Sequence, residues 1–174
     1  CESWANLPLN ESFATYGEYI WREKWLGRLA ADAHLENDLQ NYLNESRVEQ
    51  KDMIRFNYED KEDMFDSHSY AKGGRILHML RYYLGDDAFY SGLQKYLKDN
   101  AFNTVEIHQL RLAMEEVSGE DLNWFFNQWF LASGHPILAI DYKYNEEKKQ
   151  QTVIVEQIQD QGTTPVYKLP FNID

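Results

Sequence analysis

Positive charge is scarce in this 174-residue chain: 17 Lys and Arg stand against 29 Asp and Glu, a formal net charge of −12. Binding to a phosphate backbone is driven by Lys and Arg displacing counterions, so the balance argues against a nucleic-acid partner, and against an anionic membrane surface on the same ground. The acidity reads first as solubility, although a negative cleft would also attract a substrate with a free ammonium group. No run of about 18 apolar residues occurs and no signal-like apolar stretch, so no segment here reads as spanning or targeting a membrane. Cys1 is the only cysteine, which excludes an internal disulfide and a cysteine-rich metal site. Also missing is any H-E-x-x-H: the five histidines, His34, His68, His78, His108 and His135, include no pair four apart with a Glu between. The first residue is not Met, and Cys1-Glu2-Ser3-Trp4 runs straight into ordered-looking sequence, so the chain reads as cut rather than begun.

What is present belongs to a globular protein: 43% hydrophobic and 15% aromatic residues, far from the composition of disordered chains. Up to about His135 the apolar spacing is helical. Asn10 is the expected cap of a helix running toward Trp25 with Gly27 near its end, followed by a helix from Arg28 to Leu43 with a seam of Leu29, Leu35, Leu39 and Leu43. Residues 45–68 are polar and acidic and read as a solvated connection. Helices are expected from Tyr70 to Leu84, from a cap at Asp86 to Lys98, from a cap at Thr104 to Val117, and after a cap at Asp121, ending at Gly134 and Pro136. Beyond Pro136 the period becomes alternating, with Leu138, Ile140, Tyr142 and Tyr144 on one face. A turn at 145–148, a second strand from Thr152 to Ile158 and a third from Val166 to Ile173, broken by Pro170, complete the reading. The fold class is therefore mainly α with a short antiparallel β segment, divided near residue 136 into parts 1–136 and 137–174, the second truncated.

The residues with chemical interest begin at Glu11 and Glu18, seven apart and hence on one helical face with Thr15 between them. Both lie among Trp4, Leu7, Leu9, Phe13 and Tyr16, an apolar setting for two carboxylates. The run Trp4-Ala5-Asn6-Leu7-Pro8-Leu9-Asn10-Glu11-Ser12-Phe13-Ala14 resembles the W-x-D-L-W-L-N-E-G-F-A segment that follows the zinc helix in gluzincin aminopeptidases, the aminopeptidase N family. Ser69 to Leu80 is similar to that family's Y-x-K-G-x-x-x-L-x-M-L stretch, and Trp129 through Gly134-His135-Pro136 to its W-x-x-x-x-G-x-P ending. Ser12 and Pro8 stand where the family commonly has Gly and Trp, which alters the wall of a cleft without removing a ligand.

The resemblance implies the helical C-terminal half of a gluzincin catalytic domain and the start of a β-sandwich-like domain. It implies Glu11 as the third zinc ligand, Glu18 as an acid orienting a ligating histidine, and Tyr70 as the hydroxyl that donates to the oxyanion. Lys72, Gly73 and Gly74 read as structural, and Phe126, Trp129 and Phe130 as core. The implied parent is a zinc metalloaminopeptidase acting on the N-termini of peptides; the two histidines and the general base would lie before Cys1. This chain alone is expected to be inactive and to hold no zinc tightly, because the site requires three donors. The rival readings are a non-catalytic helical peptidase-like scaffold used for binding and, more remotely, a glycosidase pair at Glu11 and Glu18, whose separation of about 10 Å along a helix fits that chemistry poorly. Oligomeric state, compartment and side-chain preference leave no mark in these residues.

Overall fold

The computed structural model describes residues 1–171. A single 3-10 turn, Trp4–Asn6, leads into α1, Pro8–Leu26, which starts two residues before the expected Asn10 cap. Pro8 explains the early start: its ring pre-sets a helical φ, and the N–H it lacks would have had no partner in the first turn. Gly27, at φ 88, breaks the chain as expected and α2, Arg28–Ser46, follows at once. The leucine seam expected on α2 is displaced. Ala31, Leu35 and Tyr42 form the buried stripe, whereas Leu29 is 86% exposed and Leu39 and Leu43 are only half-buried. Packing against α1 selects the stripe, and leucine content alone does not reveal which side of a helix another element covers.

The connection from 47 to 67 is anchored rather than solvated. Met53 and Met64 are fully buried, the Ile54 N–H donates to the Phe130 carbonyl at 2.9 Å, and the 3-10 turn Lys61–Met64 is closed by a reciprocal cap between Asp60 and Asp63. A π-helical turn, His68–Lys72, runs directly into α3, Gly73–Leu84. Then come α4, Asp86–Asp99, α5, Ile107–Ser118, and α6, Asn123–Trp129. The expected caps are each shifted: Gly85 precedes α4, Glu106 with Gln109 makes the capping box of α5, and Asp121 accepts from the Asn123 N–H one residue ahead of the Leu122 cap. The side chains Tyr16, Ile76, Leu77, Leu80, Phe89, Leu110, Met114, Phe126 and Phe130, from α1, α3, α4, α5 and the end of α6, make one dry core.

β1, Leu138–Asn145, and β2, Gln150–Gln157, pair antiparallel with Ile140 opposite Val155 and Tyr142 opposite Val153. The third strand does not form among the described residues, and its last positions, 172 and 173, lie outside them. Side-chain amides have taken the groups a ladder would use. Gln157 Oε1 accepts the Tyr167 N–H and its Nε2 donates to the Tyr167 carbonyl, while Gln128 does the same for Lys168. The segment is thereby strapped across α6, with the Tyr167 ring buried 4.6 Å from the Trp129 ring.

Candidate functional site

Glu11 sits in the first turn of α1, half-buried, with its carboxylate near enough to the Tyr70 hydroxyl to act on it electrostatically. Burial and then this neighbouring carboxylate push the Tyr70 phenol above its ordinary value, so at neutral pH the hydroxyl keeps its proton and remains a donor. Two residues 59 positions apart in sequence are brought together because the backbone of the π turn is pressed onto α1. Ser12 Oγ, buried, donates to the Ser69 carbonyl at 2.8 Å. A Cβ on Gly73 would collide with the Ser12 side chain, and one on Gly74 would stand 3.0 Å from Thr15 Cγ2. The two glycines thus allow the α3 backbone to approach α1, which is the close approach expected of them.

Glu18, two turns further along α1, has its Oε2 3.2 Å from Nε2 of His34 on α2. The pair is misaligned for a hydrogen bond, and that nitrogen is left without a partner in a buried position. Asp38 approaches the same nitrogen at 3.8 Å. Burial raises the Asp38 carboxyl above the usual range, partly offset by His34. Thr15, Glu18, His34, Asp38, Glu45 and Tyr70 all line one open cavity of about 420 Å³. Glu18 and Tyr70 therefore face one cavity, and Glu11 lies near Tyr70.

The residues that sequence reasoning passed over come from α2: His34, Asp38 and Glu45, joined by His68 from the π turn. His34, Asp38, Asn41 and Glu45 follow one another at spacings of four, three and four, a polar stripe on one helical face that is visible beside the leucines. Lys72 faces elsewhere. Its ammonium is buried, donates to the Gly134 carbonyl at 2.8 Å and lies over the Tyr42 ring, and burial pulls its pKa down to about 8. Phe126, Trp129 and Phe130 are core, as expected.

A carboxylate is a normal zinc donor beside two imidazoles. Among the described residues no group of three close potential ligands includes Glu11; the one such group is Glu45, Asp66 and His68. Glu11 thus fits one donor position of three.

The Peptidase family M1 domain model matches residues 1–129, from the chain's start to the last residue of α6. The chain belongs to peptidase family M1. It is 32% identical over 160 residues to aminopeptidase A of Gloydius brevicauda, an alignment covering 88% of this chain and 16% of that protein. Its fold is similar to that of Legionella pneumophila aminopeptidase A, solved with aspartic acid, at TM-score 0.73 and 25% identity, covering 90% of this chain and 17% of that one. A Deinococcus radiodurans M1 zinc metallopeptidase variant, solved bound to a Tyr-Ser-Ala substrate, matches at TM-score 0.60 and 26% identity over 74% of this chain and 28% of its own. This M1 chain therefore spans only a small part of the length of the relatives it matches. Among its described residues no helix is long and apolar enough to cross a membrane.

Proposed function

We propose that this chain forms part of a zinc-dependent metalloaminopeptidase that removes N-terminal residues from peptides. Residues 1–136 would be the helical part of its catalytic domain, and residues 137–174 the start of a β-sandwich-like domain. The observation that carries the reading is the placing of the Glu11 carboxylate near a protonated Tyr70 hydroxyl, with Tyr70 lining an acidic cavity beside Glu18. Zinc, when bound, would polarise the scissile carbonyl and acidify a water. Glu11 would hold it through a carboxylate oxygen, with two imidazoles supplied from outside these residues. Glu18 would orient one of those imidazoles by accepting its distal N–H. The Tyr70 hydroxyl, kept protonated, would donate to the oxygen that becomes negative as the carbonyl carbon turns tetrahedral. With one donor of three, residues 1–174 by themselves would neither hold zinc tightly nor turn over peptides.

The test is made in the longer chain that carries the zinc helix. Tyr70→Phe is expected to lower kcat by about 10²–10³-fold, the usual cost of losing one oxyanion donor, with zinc still near one per chain. Glu11→Ala is expected to lose the metal. Unchanged turnover in the first variant removes Tyr70 from the chemistry, and full zinc occupancy in the second removes Glu11 from the metal. The scaffold alternative predicts instead that the unsubstituted longer chain binds peptides without cleaving them.

A further inference from the structure

His68 is a fully buried imidazole with both nitrogens engaged. Its Nε2 lies 3.3 Å from the backbone nitrogen of Lys51, and an amide N–H can only donate, so Nε2 carries the lone pair. The proton is therefore on Nδ1, which donates to Glu45 Oε1 at 2.7 Å. The other Glu45 oxygen accepts the Ser67 N–H at 2.9 Å. One carboxylate, from the last turn of α2, thus grips two consecutive residues at the head of the π turn. Asp66 Oδ1 satisfies the next free donor, the Ser69 N–H, at 2.9 Å. The edge of the Tyr42 ring meets the imidazole at 5.2 Å between centroids and closes the remaining side.

Glu45, Asp66 and His68 stand close enough together to suggest a cation site. Their bonding argues otherwise. Asp66 Oδ2 already carries the Arg55 guanidinium at 2.5 Å and faces the Lys51 ammonium at 3.7 Å, and His68 has no free lone pair to give. The cluster is complete without a metal. What it fixes is the backbone two residues before Tyr70, on a turn whose Lys72 N–H reaches back five residues to the Ser67 carbonyl. π turns are less stable than α turns and need such support, and they recur at functional sites.

We propose that Glu45 and His68 are the positioning pair for Tyr70: they lock the head of the π turn so that the Tyr70 hydroxyl stays against Glu11 and above the cavity. The inference rests on the reading of Tyr70 given above and adds residues to it. A misplacement of about 1 Å at a reacting group costs on the order of 10²-fold in rate, so the pair acts on turnover rather than on metal or substrate binding.

The experiment is a double-mutant cycle in the zinc-loaded longer chain, read as kcat, KM and zinc content. His68→Phe keeps a planar aromatic ring, one atom larger, and removes both hydrogen bonds; it is expected to lower kcat by about 10²-fold with KM and zinc unchanged. His68→Asn keeps a donor toward Glu45 and is expected to fall between. In a Tyr70→Phe background His68→Phe is expected to cost nothing further, because the group it positions is gone. Glu45→Gln gives a second route should His68→Phe fail to fold. It sets a donor against either the Ser67 N–H or a ring that cannot change tautomer, and the same pattern is expected. Equal losses with Tyr70 intact and in the Tyr70→Phe background would make the pair a general structural support and overturn the proposal, as would full activity in both Glu45→Gln and His68→Phe while Tyr70→Phe remains damaging. A harmless Tyr70→Phe would instead sink the earlier reading, and is told apart by that single variant.

Discussion

Between Pro8 and Trp129 the apolar residues at helical spacing mostly end up dry, whereas along the hairpin from Leu138 to Gln157 an equally regular alternation remains in water. Phe89 on α4 has no exposed surface; Ile140, Tyr142 and Tyr144 are each more than half exposed. Both patterns obey the rules of their own secondary structure. The difference lies in what each finds to pack on. Six helices share one core, while among the described residues the two strands pair only with each other, and a two-stranded ribbon has no second layer to bury its face. Order around Glu11 and Tyr70 is thus inherited from the core, and the hairpin contributes nothing to it.

The contrast is broken most severely from the helical side. Phe89→Ala removes a fully buried ring that meets Tyr16 edge-on at 5.8 Å, and is expected to cost about 3–5 kcal/mol in urea unfolding followed by tryptophan fluorescence. A loss under about 1 kcal/mol, far below the usual cost of emptying a core position, would mean that the helical core is not the source of the chain's stability.

A smaller effect comes from the polar seam within the same core. Arg81 Nη1 donates to the Tyr16 oxygen at 3.5 Å, and the Tyr16 hydroxyl, its pKa pushed up to about 12 by burial, shares a hydrogen bond with Nδ1 of His78 at 3.1 Å. Burial, then the Arg28 and Arg81 charges, pull His78 down to about 4. The folded chain therefore binds fewer protons than the unfolded chain between pH 4 and the ordinary histidine value of 6.5. Stability is accordingly full above that window and falls as the pH drops through it, by about 2 kcal/mol for a partly shielded group. His78→Gln is expected to flatten that slope, measured as unfolding free energy against pH. An unaltered slope would assign the acid sensitivity to other groups.

How much of this is written in the chain differs between the two levels of structure. Helices and the paired strands can be read from spacing, and the family from the motifs around Glu11 and Tyr70, because local periodicity and turn chemistry leave marks a few residues wide. The caps move by one to three residues, since Pro8, Gly85 and Glu106 compete with better-known capping side chains nearby. The third strand is lost because the side chains of Gln157, ten residues away, and Gln128, 40 residues away, satisfy its backbone. Glu45 and His68 are invisible as a pair for the same reason: 23 residues of chain separate them, and the polar composition of that connection hides the burial of Met53, Ile54 and Met64. Partnerships across the fold are set by tertiary packing, which no single stretch encodes.

The smallest expected effect sharpens the contrast from the other side. Tyr142 is 65% exposed and faces Val153 across the ladder, with Ile140 and Val155 next on the same face. Tyr142→Ser in the 174-residue chain removes one cross-strand contact, worth about 0.2–1 kcal/mol at most in a paired sheet. Because the ribbon and the helical core share little packing, its loss should scarcely reach global unfolding, and the expected change is within about 0.5 kcal/mol. The same substitution in a longer chain discriminates further. If the stripe of Leu138, Ile140, Tyr142 and Tyr144 meets a second apolar layer there, burying the ring adds about 1.5–3 kcal/mol and the substitution costs correspondingly more. An equal and negligible cost in both lengths would mean that the alternation marks a strand exposed on both faces, and that the hairpin's regularity serves pairing rather than burial.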